Sequence, residues 1–199
     1  DTASILLATS GTEGEPRVVM LSRRNLLSSA AASRQRLGLL PGDRWLLCLP
    51  LFHISGLSIP LRCAEAGAAV VLHKGFDAGA VCRDIDSHKV THLSLVPTML
   101  YGLLAECPDF RPPDSLRVVL VGGGALEEKL AQQALEAGWP ICPSYGMTET
   151  ASQIATLYPP PKSWKTGLVG KPLEHLEVSI GSDSGRIKVR GSGVMLGYA

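Results

Sequence analysis

Short apolar runs alternate along this chain with longer stretches in which apolar residues recur every three to four positions. Ser4–Ala8 reads as a buried strand running into a glycine-rich loop. Arg23–Leu37 reads as a helix, with Ser22 as its N-cap and Gly38 as the residue that ends it. Trp45–Leu49 is a strand ended by Pro50. Ser55–Ala66 is a helix stopped by Gly67, and Pro60 either kinks it or marks its true first turn. Ala69–Leu72 is a strand and Asp77–His88 a helix. His92–Val96 is the next strand, and Pro97 sits in the first turn of the helix after it. Arg117–Val121 is a strand, Leu126–Ala137 a helix stopped by Gly138, and Trp139–Cys142 a short strand. This β-α-β-α rhythm predicts an α/β fold, a mainly parallel sheet with helices on both faces.

Beyond Ile154 the pattern changes. Gly and Pro become frequent, and Glu177–Ile180 and Arg186–Arg190 alternate as antiparallel strands do. Pro159-Pro160-Pro161 reads as a loop within a domain. The expected organisation is an α/β core over residues 1–175, then the start of a small antiparallel β-rich subdomain over residues 176–199.

Composition narrows the class. The 199 residues, 45% of them hydrophobic, suffice for one domain with a real core or for a piece of a larger one. Aromatics are only 5%, so the core must rest on aliphatic side chains. A net charge of +1 without long like-charge blocks predicts neither a nucleic-acid surface nor a polybasic membrane patch. Runs such as Trp45–Leu49 are far shorter than a membrane span, and no signal peptide is visible. The five cysteines, Cys48, Cys63, Cys82, Cys107 and Cys142, lack any CxxC spacing. They read as inert thiols in a reducing cytoplasm, not as a disulfide framework or a zinc site. The chain starts at Asp1 and stops at Gly197-Tyr198-Ala199 straight after a strand-like run, so it reads as part of a longer protein.

Four segments carry candidate chemistry. In Thr9-Ser10-Gly11-Thr12-Glu13-Gly14-Glu15-Pro16-Arg17, glycines let backbone N–H groups close on phosphate oxygens. Hydroxyls and a guanidinium supply further donors there. It is not the P-loop pattern, and a polar Gly-rich turn by itself is most often only a turn. Val121-Gly122-Gly123-Gly124-Ala125 follows a strand and opens a helix, so a flat ring or a substrate can lie against bare backbone. In Ser144–Thr150, the Glu149 carboxylate is the hard oxygen ligand that Mg²⁺ prefers beside phosphates. His53 follows an apolar strand, and in the helix after it Ser55 and Arg62 lie seven residues apart. If Pro60 leaves the turns intact, they share one face, which could hold a second carboxylate. Arg62 as a solvated surface cation is the competing reading.

Together these segments resemble the adenylate-forming superfamily of acyl-CoA synthetases, luciferases and peptide-synthetase adenylation domains. Thr9–Arg17 resembles its Thr-Ser-Gly-Thr-Thr-Gly-x-Pro-Lys signature, with Glu13 in place of a hydroxyl residue and Arg17 in place of Lys. Arg keeps the charge without the compact ammonium, and Glu13 should point away from phosphates or meet a metal. Leu49-Pro50-Leu51-Phe52-His53, Tyr145-Gly146-Met147-Thr148-Glu149 and Gly185–Gly191 with Val194–Tyr198 match further signatures in the same order. The resemblance implies ATP bound by Thr9, Ser10, Gly11, Thr12, Gly14, Ser144, Tyr145, Gly146 and Met147, with Tyr145 against the adenine. It also implies Thr148 on the α-phosphate, Glu149 on Mg²⁺, Arg17 on the phosphates, and Gly122, Gly123 and Gly124 bordering adenine and acyl group. His53 would gate the carboxylate pocket, with Ser55 and Arg62 toward the acid.

The resemblance further implies conversion of a carboxylic acid to its acyl-AMP and then, with coenzyme A, to a thioester. A ribose-binding Asp, a hinge and a C-terminal domain with a catalytic Lys would lie outside these residues, which are not expected to complete catalysis alone. Within the superfamily, Leu49–Ser58, Ser94–Thr98 and Tyr145–Gln153 are most similar to the o-succinylbenzoate–CoA ligases of menaquinone biosynthesis, whose substrate carries two carboxylates. A peptide-synthetase adenylation domain is the alternative enzyme. A nucleotide-binding module without catalysis is the alternative of another class, hinted at by Glu13 and Arg17.

Overall fold

The apolar runs become strands because their β-branched and leucine side chains can be buried on both faces of a sheet. The computed structural model describes residues 2–9, 16–182 and 184–199. It begins with β1 (Ala3–Thr9), β2 (Arg17–Ser22), α1 (Arg23–Leu37), β3 (Arg44–Leu47), α2 (Ile54–Ala66), β4 (Ala69–Leu72) and α3 (Ala78–Ser87). There follow β5 (His92–Leu95), α4 (Pro97–Glu106), β6 (Val118–Val121), α5 (Glu128–Glu136), β7 (Ile141–Met147) and a 3₁₀ turn at Thr148–Thr150. The chain ends through β8 (Ser152–Thr156), β9 (Lys171–Pro172), β10 (Leu176–Ile180), β11 (Ile187–Gly191) and β12 (Gly197–Tyr198).

The main sheet has the order β4-β3-β5-β6-β7-β8-β9. Its first five strands pair in parallel, and β8 and β9 add antiparallel. Alternation along each strand splits the core in two. Leu46, Leu93, Leu95, Val119 and Val121 meet α3, α4 and α5 on one face. Trp45, Leu47, Val118 and Leu120 meet Leu37 of α1 and Ile59, Cys63 and Ala66 of α2 on the other. The parallel sheet covered on both faces is therefore as the rhythm predicts. The antiparallel tail is present as the β10–β11 hairpin.

Several details differ from the sequence reading. β1 is not a buried strand: Leu7 is 8% exposed but Leu6 59%, because β1 belongs to a separate antiparallel sheet, β1-β2-β12, with one wet face. The last strand expected to stop at Cys142 runs on to Met147, and β8 was not foreseen, since its buried Gln153 and Thr156 look like loop residues. Pro60 lies well inside α2, so it does not mark that helix's first turn. The helix expected from Leu126 begins at Glu128. By contrast, α1 has the expected bounds. Ser22 and Asn25 cap its start reciprocally, and Gly38 ends it at φ 63°. Cys48, Cys63, Cys82 and Cys142 are buried free thiols, and Cys107 is free and half-buried.

His92 of β5 is fully buried, with Nδ1 2.9 Å from Thr91 Oγ1 and Nε2 3.3 Å from the Leu37 carbonyl. Burial pushes its pKa down to about 4 from 6.5. The folded imidazole is thus neutral at pH 7, and the unfolded chain takes up the proton first as pH falls. Stability is therefore lost as pH falls from about 6.5 to about 4, by up to about 3 kcal/mol. Thermal unfolding measured from pH 7 to 4.5 should show a markedly smaller acid loss in His92→Gln than in the parent. An equal loss would clear His92 as the source.

Candidate active site

The parallel strands deliver their following loops to one edge of the sheet, the usual place for ligands in open α/β folds. Pro50–His53 follows β3, Val96-Pro97 follows β5, Gly122–Gly124 follows β6, and the second half of β7 extends beyond its parallel partner. From Ser144 onward β7 pairs instead with β8, through Ser144↔Thr156, Tyr145↔Ala155, Gly146↔Gln153 and Met147↔Ser152. A Cβ on Gly146 would fall 2.0 Å from the Ser152 carbonyl, so this crossing admits only glycine. Ala151 (φ 52°) and Ser152 (φ 112°) then turn the chain back at conformations unfavourable to side-chain-bearing residues. Hydrogen bonds hold the turn: Ala151 N donates to the Thr148 carbonyl at 3.0 Å, and Ser29 Oγ to the Ala151 carbonyl at 2.7 Å.

A buried polar chain secures the hairpin from behind. Ser33 Oγ of α1 donates to Gln153 Oε1 at 2.5 Å, and Gln153 Nε2 donates to Thr156 Oγ1 at 2.5 Å. Thr156 Oγ1 donates to Ser144 Oγ at 3.2 Å, which donates to the Ala155 carbonyl at 3.1 Å. The Thr156 and Ser144 hydroxyls each both accept and donate, and Ser33 Oγ donates, so the buried polar groups of this chain are paired. Ser144 is thus held as part of a scaffold, while the neighbouring Tyr145 ring remains 38% exposed.

The Gly122–Gly124 loop is seated between two of these segments. Gly122 N donates to the Leu95 carbonyl at 3.2 Å, and a Cβ there would stand 3.2 Å from the Ser144 carbonyl. Gly123 sits at φ 74° with the Val96 side chain beneath it. The triple glycine and the Ser144–Met147 stretch therefore meet side by side.

Glu149 lies in the 3₁₀ turn, half-buried, next to Thr148. Its Oε1 accepts from the Tyr198 hydroxyl at 3.0 Å, and its carbonyl accepts from Met195 N at 2.8 Å. Arg17, exposed at the start of β2, places its guanidinium 5.0 Å from the centre of the Tyr198 ring. Thr9, at the end of β1, is paired with Arg17 and donates from Oγ1 to the Arg17 carbonyl at 3.3 Å. The structure thus sets Arg17 and Glu149 against Tyr198, with Thr9 paired to Arg17. Ser10, Gly11, Thr12, Glu13 and Gly14 lie outside the described residues.

His53 is the exposed N-cap of α2, its ring 4.6 Å from that of Phe52. The turn before it is tight, because a Cβ on Gly56 would stand 2.2 Å from the Pro50 carbonyl. Ser55 is half-buried and its carbonyl accepts from Ser58 Oγ at 3.1 Å. Arg62 is no solvated cation: it is 1% exposed. Nη2 donates to Ser152 Oγ at 2.9 Å, the guanidinium lies 5.3 Å from the Trp45 ring centre, and Nε is buried without a partner. Burial pushes its pKa down to about 9, so it is still charged at pH 7. Among the described residues no carboxylate pairs with it. A buried cation left in this state invites an anionic ligand.

Among the described residues no three His, Cys, Asp or Glu side chains converge as a metal cage. The donor set instead suits Mg²⁺, which takes one or two carboxylates and completes its shell with phosphate oxygens and water. Glu149 is half-buried, and Thr148 lies beside it. The sequence reading passed over Tyr198, Trp45 and Ser152 as site residues. Tyr198 was visible only as the end of a matched signature, and Trp45 as an apolar strand residue.

The whole chain, residues 1–199, matches the family model described as AMP-binding enzyme. It is 43% identical over 206 residues to the 2-succinylbenzoate–CoA ligase of Bacillus subtilis (strain 168), covering 100% of this chain and 42% of that protein. The o-succinylbenzoate CoA synthetase of Bacillus subtilis in complex with the acyl-adenylate intermediate OSB-AMP matches with a TM-score of 0.92 at 43% identity, over 100% of this chain and 42% of that one. The same synthetase in complex with ATP and magnesium ion matches with a TM-score of 0.92 at 43% identity, over 100% and 43%. This chain therefore spans about 42% of the length of the curated relatives it matches. With the match running end to end, and the signature segments delivered to one edge of the sheet, the chain belongs to the AMP-binding enzyme family.

Proposed function

We propose that this chain is the ATP- and acyl-binding core of a ligase that activates a dicarboxylic aromatic acid, o-succinylbenzoate, as its acyl-AMP and passes it to coenzyme A. The observation that carries the choice of acid is Arg62, a buried cation without an acidic partner, tied to Ser152 three residues beyond Glu149. The relatives at 43% identity support the same reading.

In this reading residues 1–175 hold ATP and acid, residues 176–199 begin a β-rich subdomain, and a C-terminal domain with a catalytic Lys lies beyond. Tyr145 and Gly122–Gly124 form the adenine and acyl walls, Thr148 bonds the α-phosphate, and His53 gates the approach to the acid. Thr9, Ser10, Gly11, Thr12 and Gly14 with Arg17 cradle the phosphates. Mg²⁺, held by Glu149, would supply charge neutralisation on those phosphates. The chain's own task is to hold the acid's carboxylate in line with the α-phosphorus, which requires positioning and electrostatics and no protein nucleophile. Work in the cytoplasm, where ATP and CoA are drawn upon, belongs to this reading. Among the described residues no helix is long and apolar enough to cross a membrane.

The test is acid-dependent pyrophosphate exchange by the full-length protein. o-Succinylbenzoate should support exchange at least about tenfold better, in kcat/KM, than benzoate, medium-chain fatty acids or any single amino acid. Preference for an amino acid would move the chain to the peptide-synthetase branch. No exchange with any acid, alongside measurable ATP binding, would make it a nucleotide-binding module.

A further inference from the structure

Tyr198 touches two groups of opposite charge that come from distant parts of the chain, and backbone register is what brings it there. β12 pairs antiparallel with β2 through Gly197↔Met20 and Tyr198↔Val19. Leu196 N donates to the Met20 carbonyl and Ala199 N to the Val18 carbonyl, both at 2.9 Å. Tyr198 therefore projects from the same sheet face as Val19 and, two residues along β2, Arg17. Such diagonal neighbours lie within reach of aromatic and long side chains. On that face Val19 and Leu21 pack with Ala151, at the end of the turn that carries Glu149. One step further along the same face, the apolar contact gives way to Arg17, Tyr198 and Glu149.

The segment before β12 is fastened to both sides of this junction. Asn25 Nδ2, at the start of α1, donates to the Ser192 and Val194 carbonyls, each at 2.8 Å. Met195 N donates to the carbonyl of Glu149 itself. A side chain placed so firmly, with its phenol on a carboxylate and its ring beneath a guanidinium, is built to orient both.

We propose that Tyr198 is a positioning residue: its hydroxyl orients the Glu149 carboxylate for the metal, and its ring seats the Arg17 guanidinium toward the phosphates. This rests on the roles given above to Glu149 and Arg17. The phenol is a neutral donor to one carboxylate oxygen, so it aims the carboxylate without supplying a counter-charge. The ring attracts Arg17 through its π face, which keeps the guanidinium from folding onto Glu149 and cancelling it.

The experiment measures Mn²⁺ binding by electron paramagnetic resonance in the presence of ATP, with Mn²⁺ standing in for Mg²⁺, and separately ATP binding without metal, on full-length protein. Tyr198→Phe should weaken Mn²⁺ about three- to tenfold and leave metal-free ATP affinity and the thermal midpoint unchanged. Tyr198→Leu should weaken Mn²⁺ to the same extent and also lose about two- to fivefold in metal-free ATP affinity, because the seat of Arg17 is gone. Unchanged Mn²⁺ affinity in Tyr198→Phe, with Mn²⁺ binding lost in Glu149→Gln, would overturn the proposal while leaving the Glu149 reading standing. Unchanged Mn²⁺ affinity in Glu149→Gln would overturn both. Equal loss of metal, nucleotide and thermal stability in Tyr198→Phe would mean a structural tyrosine only, and would also overturn it.

Discussion

Glu149→Gln is expected to cut acyl-AMP formation by the full-length protein about a hundredfold or more, with little change in fold or thermal midpoint. The amide removes the charge that a hard cation needs, and loss of electrostatic stabilisation at a transferring phosphoryl group is worth several kcal/mol. The fold is spared for reasons visible in the structure. Glu149 is half-buried, its backbone carbonyl still accepts from Met195 N, and a glutamine oxygen still accepts from the Tyr198 hydroxyl. Pyrophosphate release at saturating Mg²⁺ measures the effect, and calorimetry checks the fold. Adenylation within about threefold of the parent would remove Glu149 from the metal site.

Removing the charge at Arg62 is expected to separate recognition of the second carboxylate from stability. Arg62→Met keeps most of the volume beside Trp45 but neither donates to Ser152 nor carries a charge. KM for o-succinylbenzoate should rise about ten- to a hundredfold, the worth of roughly 1.5–3 kcal/mol for a charge-assisted hydrogen bond, and KM for a matched monocarboxylic acid should stay within about threefold. Arg62→Ala should show the same selectivity change with an added loss of stability from the cavity it leaves. Without ligand, Arg62→Met should be at least as stable as the parent. A buried cation with an unpartnered Nε costs desolvation that no carboxylate among the described residues offsets. Equal losses for both acids would mean that Arg62 supports the shape of the pocket without reading the second carboxylate.

Much of this was legible in the sequence because the signals were local. Arg23–Leu37 carries its own start and stop, a Ser22–Asn25 cap and a Gly38 that takes a left-handed conformation. The strand runs of the parallel sheet are apolar on both faces because both faces are covered, so continuous hydrophobicity identifies them without any partner. The candidate roles of Tyr145, Thr148 and Glu149 rest on side-chain chemistry and order along the chain, and the structure sets Thr148 and Glu149 side by side in one turn.

Tertiary structure decided what depends on distant partners. β8 is written in polar letters: Gln153 and Thr156 become strand residues only because Ser33 and Ser144 satisfy them inside the core. β1 looks buried in isolation, yet half of it is exposed because it joins a small antiparallel sheet with one face uncovered among the described residues. Helical periodicity could align Ser55 with Arg62 but could not choose between a solvated and a buried guanidinium. That choice was made by Trp45 and Ser152, on strands on either side of it in sequence. Tyr198 meets Arg17 and Glu149 through the pairing of β12 with β2, across more than 170 residues of chain. Propensity, capping and alternation are properties of neighbours a few residues apart and so can be read along the chain. Which polar group ends beside which charge is set by strand order and register, and those exist only once the chain has folded.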